Sequence, residues 1–313
     1  MKNLKYYLSG FVLILFVLFH SSDFAQNKFT DSSVTFVTYW KKGETKTLHI
    51  SQSKERSMEG QGGSNSGFVY DADVLVLDST KNSFTIQWKF KNIKKFGDED
   101  PTIEANRRML DNLKILYKTN DLGMFSELQN WQEIQKKLFS ALDKMQKENQ
   151  ESQLVGRIVS SLKKVLGTKE NIQNILISEV QLYHLPYGAE YKFKNRVKLD
   201  ATMPNIFGGR PLPAITTVEL TELRPVENYC KLEQTMQIDS LRASAILQEY
   251  FDKLATSQSS GSNSQQPAFD MKTSTTHWME ISTGWFKKIR YSRIVTSGNM
   301  KMTEKVEINM INR

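Results

Sequence analysis

Val74-Leu-Val-Leu-Asp-Ser-Thr-Lys-Asn-Ser-Phe-Thr-Ile-Gln-Trp-Lys-Phe90 decides the fold. A short apolar run gives way to Asp78-Ser-Thr-Lys-Asn82, a cluster of turn-forming residues. Strict alternation follows, with Phe84, Ile86, Trp88 and Phe90 in one phase and Thr85, Gln87 and Lys89 in the other. A side-chain period of two places successive residues on opposite faces of a pleated strand. The stretch therefore predicts a β-hairpin with one aromatic, apolar face that some other layer must cover.

A comparable unit lies further along, from Val218 to Ile238, where Val218 and Leu220 lead through Arg224-Pro225 to Cys230, Leu232, Met236 and Ile238. Between the two hairpins the period changes. Leu128, Trp131, Ile134, Leu138, Leu142 and Met145 recur at steps of three and four, predicting a helix from about Ser126 to Lys147. Leu154, Ile158, Leu162 and Val165 form a second stripe ended by Gly167, and Ile172, Ile175, Leu176, Val180 and Tyr183 a third ended near Leu185-Pro-Tyr-Gly188. These stripes are the natural cover for the apolar sheet face. The fold class expected is α+β, with antiparallel, half-barrel-like curved sheets braced by a central block of amphipathic helices. The divisions expected are residues 26–126 and 187–313 as β-rich halves around a helical block at 127–186, in one compact unit.

Other segments read less sharply. Strands are expected around Trp40-Lys-Lys-Gly43, at Leu113 to Thr119, at Tyr191, Phe193, Val197 and Leu199, and from Trp278 onwards. Met58 to Gly67, Met203 to Pro213 and Thr256 to Pro267 read as loops by composition. A short helix is expected from Thr102 to Leu110, and another after Asp239 or Ser240 with Leu247, Tyr250, Phe251 and Leu254 on one side. The two halves run in the same order: Gly43 and Gly188, Val74 and Val218, then Gly123-Met-Phe and Gly284-Trp-Phe. An internal duplication would produce this echo, and so would chance spacing among similar strands.

The opening residues carry an export pattern. Lys2 and Lys5 precede Tyr6 to Phe19, almost uninterruptedly apolar, and a polar stretch ends in Phe-Ala25-Gln26. Residues 1–25 read as a secretory signal peptide cut after Ala25, although Asp23 fits the usual site poorly. The destination expected is the periplasm or the exterior. No cysteine lies near the cut to take a lipid, and no later apolar run is long enough to span a membrane as a helix. The single cysteine, Cys230, allows no intrachain disulfide and reads as a buried thiol. The formal net charge is +8, spread over doublets such as Lys94-Lys95 and Lys136-Lys137, so no nucleic-acid groove is expected.

The export pattern, the Lys-Lys-Gly43 stretch, Tyr117-Lys-Thr-Asn-Asp-Leu-Gly123-Met-Phe and Thr283-Gly284-Trp-Phe286 resemble those of uncharacterised exported β-rich proteins of Gram-negative bacteria. The resemblance implies an envelope location and antiparallel strands interrupted by helices, and supplies no catalytic residues. The order of elements is also similar to that of the half-barrels of periplasmic lipoprotein and lipid carriers, a likeness of architecture alone.

No catalytic constellation emerges. His49, His184 and His277 stand at no metal-ligand spacing. Gly60 to Gly67 lacks the Gly-Lys-Ser/Thr of a phosphate loop. Ser160 to Lys163 matches a serine-acylase pair on a helix, but Ser282-Thr-Gly284 is preceded by Ile281 where such an enzyme needs lysine. Asp71/Asp73, Asp98/Asp100 and Glu219/Glu222 follow no calcium-loop pattern. No metal and no cofactor are expected. The function expected is non-enzymatic binding or carriage of a lipid, another apolar ligand or an envelope component. Phe84, Ile86, Trp88, Phe90, Tyr191, Phe193 and Trp285 then either line a cavity or form plain core. An accessory protein that docks an envelope protein partner through the loops 203–213 and 256–267 is the alternative, and a hydrolase with an unrecognised site the third reading.

Overall fold

The computed structural model describes residues 29–98 (31 excepted), 110–203, 210–256 and 269–311. Two short strands, β1 (Phe29–Thr30) and β2 (Ser33–Thr35), are the first described elements. A meander follows: β3 (Thr45–Met58), β4 (Gln61–Ser79), β5 (Ser83–Gly97), β6 (Lys114–Asn120) and β7 (Phe125–Leu128). After the helices and the short β8 (Glu190–Lys192), a second meander runs β9 (Val197–Met203), β10 (Leu212–Arg224), β11 (Tyr229–Ile238), β12 (Phe269–Glu280), β13 (Phe286–Ser297) and β14 (Met300–Ile311). The last strand lies antiparallel along the first long one, from Met300↔Met58 to Ile311↔Thr47, and so fuses both meanders into one eleven-stranded sheet. Its edges, β7 and β9, do not pair with each other, leaving a curved, unclosed sheet. The three short strands form a separate sheet in the order β1-β2-β8.

Helices cover the inner face in two places. A central block contains α1 (Trp131–Glu148), α2 (Gln153–Val165), α3 (Lys169–Leu176) and α4 (Ser178–His184). Beneath it lies the main core, which draws on both meanders and on the block: Ile86, Trp88 and Ile115 meet Leu138, Leu142, Val180, Leu220, Leu232 and Phe286 there. A lone helix, α5 (Ser240–Thr256), covers a second, smaller core of Met203, Leu212, Met236, Ile238, Leu247, Phe269, Met271 and Val295. Asp239 caps this helix, its Oδ1 accepting from the Arg242 amide at 3.1 Å. The fold is α+β. Among the described residues no helix is long and apolar enough to cross a membrane.

The alternating stretch behaves as its period requires. Phe84, Ile86, Trp88 and Phe90 are buried, and the residues between them are partly exposed. The second hairpin does the same, with Cys230, Leu232, Met236 and Ile238 all buried. Several boundaries move. Met58 to Gly67 is not a loop: only Glu59-Gly60 turns, and residues 61–67 continue β4 against β3. Backbone ladder bonds to a long partner strand hold this Gly- and Ser-rich segment extended despite its composition. The first helix starts at Trp131, because Phe125–Leu128 pairs with β6 as an edge strand. Leu154 is exposed and Val159 takes the buried place in α2. The third stripe is two helices that break at Ile177. Leu212 and Pro213 belong to β10 rather than to a loop. The expected helix at 102–110, apart from Leu110, and the loops at 204–209 and 257–268 lie outside the described residues, as does the expected signal peptide.

Candidate functional site

The continuous strand registers sort the inner face into rows about 7 Å apart along the strands. One row crosses from β10 to β4 as Leu220, Leu232, His277, Ile289, Ile308, Ile50 and Tyr70, every one buried under the helical block. Two residues further along each strand the row reads Val218, Gln234, Thr275, Tyr291, Val306, Gln52 and Phe68. The next reads Thr216, Met236, Thr273, Arg293, Glu304, Lys54 and Ser66. Beyond that, Met271, Val295 and Met302 lead into the α5 core or its border. The two middle rows therefore form a polar strip between two apolar cores. Their central members (Gln234, Tyr291, Arg293, Val306, Glu304, Gln52 and Lys54) are only half buried.

At the heart of the strip Arg293 Nη2 bonds Glu304 Oε2, and Lys54 Nζ lies 3.5 Å from the other oxygen of the same carboxylate. The side chains of Arg293, Glu304 and Lys54 are 19%, 23% and 34% exposed. Burial lowers the Lys54 pKa, opposed by Glu304 and reinforced by Arg56 and Arg293. Arg56 sits in the next row, paired in register with Met302. At the β9 edge the same rows end in Val197 and Leu199, 40% and 51% exposed, which face Val218 and Thr216 in register. Apolar side chains thus flank the charged centre of the strip.

Glu179 borders the strip from the first turn of α4. It is 8% exposed and accepts a hydrogen bond from Gln52 Nε2, which also donates to Tyr70 Oη at 3.3 Å. Burial pushes its carboxyl up to about 7, outweighing the hydrogen bonds from its own backbone and from Ser178 that favour the charged form.

The far end of α4 is tied to both meanders. His184 Nδ1 lies 2.6 Å from the Gly123 carbonyl, which can only accept, so this nitrogen carries the proton and Nε2 accepts from Tyr117 Oη at 2.9 Å. Burial lowers the imidazole to about 4 and keeps it neutral. Three residues on, Tyr187 Oη donates to the Gly284 carbonyl. Gly123 and Gly284 are the two glycines of the sequence echo, at the β6–β7 and β12–β13 turns, with φ of 96° and 71°. At Gly284 a Cβ would stand 2.1 Å from the Val37 carbonyl oxygen, so glycine is required by space as well as by φ.

The residues proposed from sequence fall into this node and its surroundings. Phe84 meets Trp40 at 5.7 Å, Trp88 meets Tyr183 at 6.0 Å, and Phe90 meets Tyr70 at 5.3 Å between ring centroids. Ile86 is fully buried beside them. Trp285 stacks on Trp40 at 4.4 Å and donates from Nε1 to Glu44 at 2.8 Å. All five are covered by side chains of this chain. Tyr191 and Phe193 are half buried at the margin, the first bonding the Pro186 carbonyl at 3.0 Å and the second bridging Leu220. The structure thus gathers them around one core rather than on the open strip.

The remaining chemical candidates are accounted for by their contacts. His277 Nε2 lies 3.1 Å from the Leu182 carbonyl, and His49 Nδ1 3.0 Å from Asp71. Asp73 pairs with Lys91, Glu219 with Arg196, Glu222 with Tyr229, and Lys163 with Asp143 rather than with Ser160. Cys230 is buried, which pushes its thiol up to about 12. Among the described residues no cluster of three His, Cys, Asp or Glu could hold a metal ion. Sequence reasoning missed the strip, whose signal was available: Gln52, Lys54, Arg293 and Glu304 are polar residues in the buried phase of otherwise apolar alternations.

No protein family and no curated protein matches the chain. Among solved structures, one titled "Lipid-protein interactions in lipovitellin" is similar at 10% identity and a TM-score of 0.45, over 87% of this chain and 25% of the other. The chain spans about a quarter of the length of that protein. DynF, from the dynemicin biosynthesis pathway of Micromonospora chersina, aligns at 7% identity and a TM-score of 0.21 over 92% of each chain.

Proposed function

We propose that the chain is an exported, non-enzymatic binding or carrier protein that takes an apolar or amphiphilic ligand on the inner face of its open sheet. One observation carries this reading: between the two helix-covered cores, two rows of the inner face are half buried where they cross β13, β14 and β3, and the rows end in exposed Val197 and Leu199. Sheets fill their inner faces where nothing else is to be held. A half-covered inner strip with apolar flanks offers a ligand contact area without displacement of either core. Buried His184 supports a non-catalytic role, since it is engaged through both ring nitrogens. Export rests on the basic start and apolar run from Lys2 to Phe19.

Native mass spectrometry of the protein purified from its own host's envelope tests the reading. An added mass matching a lipid or other amphiphile supports it. A protein bound at fixed stoichiometry in place of a small molecule would favour the accessory role instead. A chain that stays bare in every preparation, and that takes up no added amphiphile, would overturn the carrier reading.

A further inference from the structure

We infer that the strip selects amphiphiles with an acidic head, a carboxylate or a phosphate ester, seated on Arg293 and Lys54; this rests on the carrier reading above. Positive charge is in excess in this half-buried place. Lys54 and Arg293 both contact Glu304, so two cations share one carboxylate, and the exposed Arg56 adds a further positive charge near Lys54. The repulsion is felt at Lys54, where both arginines favour the loss of its proton. Charges held away from bulk water cost free energy unless countered, and an excess of one sign calls for a ligand of the other. Arg293 is held in place by its bond to Glu304, so its fork is oriented before a ligand arrives. Glu179, the acid that borders the strip from the helical block, is neutral below about pH 7 and does not repel an anion there.

The flanks decide between a free anion and an amphiphile. Val218, Tyr291 and Val306 lie in the neighbouring row and are partly buried against the main core. Met302, on the other side, borders the α5 core. A head group at Arg293 and Lys54 therefore has apolar surface within one row in either direction, and Leu199 carries that surface to the open edge of the sheet in the same row as Arg293. A bare anion would leave these contacts unused.

The test is a titration of the whole mature chain with oleate, oleoyl-lysophosphatidate and monoolein, read by tryptophan fluorescence or calorimetry at pH 6.5. Both acids should bind at least about tenfold tighter than the neutral monoolein, the worth of one charge-assisted hydrogen bond. The triple variant Lys54→Gln, Arg293→Gln, Glu304→Gln removes both cations together with the carboxylate they share, leaving only the solvent-exposed Arg56, and should lose that preference while binding monoolein unchanged. Urea unfolding of the variant checks that it is folded, and Glu304→Gln alone, which retains the cations, should bind the acids at least as tightly as the parent. Equal affinity for acids and monoolein would overturn the inference and leave the carrier reading standing. Binding of none of the three would overturn both. Displacement of oleate by equimolar inorganic phosphate would identify a free-anion site and also overturn it.

Discussion

Replacing Glu179 by glutamine should change how stability responds to pH far more than it changes the fold. The carboxyl is buried at the junction of α4 with β3 and β4, where Gln52, Tyr70 and Ser178 face it and none of them carries a charge near neutrality. Burial raises its pKa from 4.5 to about 7. Below 4.5 the group is protonated in the folded and unfolded chain alike, and it costs nothing. Between 4.5 and 7 the folded protein keeps a proton that the unfolded chain has released, so stability falls by about 1.4 kcal/mol per pH unit. Above 7 the loss is complete and amounts to about 3 kcal/mol. Glutamine keeps the shape and the acceptor for Gln52 but has no proton to lose. Urea unfolding of both proteins between pH 4 and 8 at constant ionic strength, followed by tryptophan fluorescence, isolates this contribution as the difference between two curves. That difference should grow in favour of Glu179→Gln across the interval and then level off. Parallel curves, or a parent that gains on the variant as pH rises, would refute the assignment of a buried neutral carboxyl.

Three further substitutions probe the frame around the strip. Trp88→Ala removes a fully buried ring that abuts Tyr183, and should cost about 3–5 kcal/mol in urea unfolding while leaving amphiphile affinity unchanged; a loss of affinity with little loss of stability would place Trp88 in a ligand cavity. Tyr117→Phe strips the donor from His184 Nε2 and leaves a buried acceptor unmatched, a cost of about 1–3 kcal/mol, readable as a lowered melting temperature. Gly284→Ala forces a side chain into a left-handed turn against the Val37 carbonyl, and should cost more than about 1 kcal/mol; unchanged stability would mean that the turn is not built as described.

The β-hairpins and the helical stripes were legible because burial selects side chains at the period of the backbone. Phe84 to Phe90 and Cys230 to Ile238 alternate because one sheet face meets helices, and Ile134, Leu138 and Leu142 recur because one helix face meets the sheet. Composition misled where a partner strand, not the segment itself, sets the conformation. Gly62 and Gly63 have no side chains to declare a strand, yet β3 pairs with the residues on either side of them, Gln61 with Met58 and Ser64 with Arg56, across a register shift. The sequence echo was legible only as spacing. That its two glycine turns both anchor the end of α4, through His184 and Tyr187, depends on contacts across 61 and 97 residues that no local pattern encodes. Aromatic residues drew attention to the filled core, whereas the open part of the face is marked by polar residues that interrupt the alternation.

Those interruptions invite a direct test of whether the strip is there for stability. A buried ion pair is seldom worth more than well-packed apolar side chains of similar volume, because both charges lose water to form it. Arg293 and Glu304 face each other in register, with Val295 and Met302 on one side and Tyr291 and Val306 on the other, so Met at 293 and Leu at 304 would extend existing apolar rows. If the cluster served only the fold, Arg293→Met with Glu304→Leu and Lys54→Met, which strands no partner of the carboxylate, should lower the urea midpoint, with a loss of more than about 2 kcal/mol. If it is retained for a ligand, this triple variant should match or exceed the parent in stability and lose its preference for acidic amphiphiles. The second outcome is expected, because Arg293 and Lys54 share a single carboxylate, and Val295, Met302, Tyr291 and Val306 on either side show that this part of the face takes apolar residues.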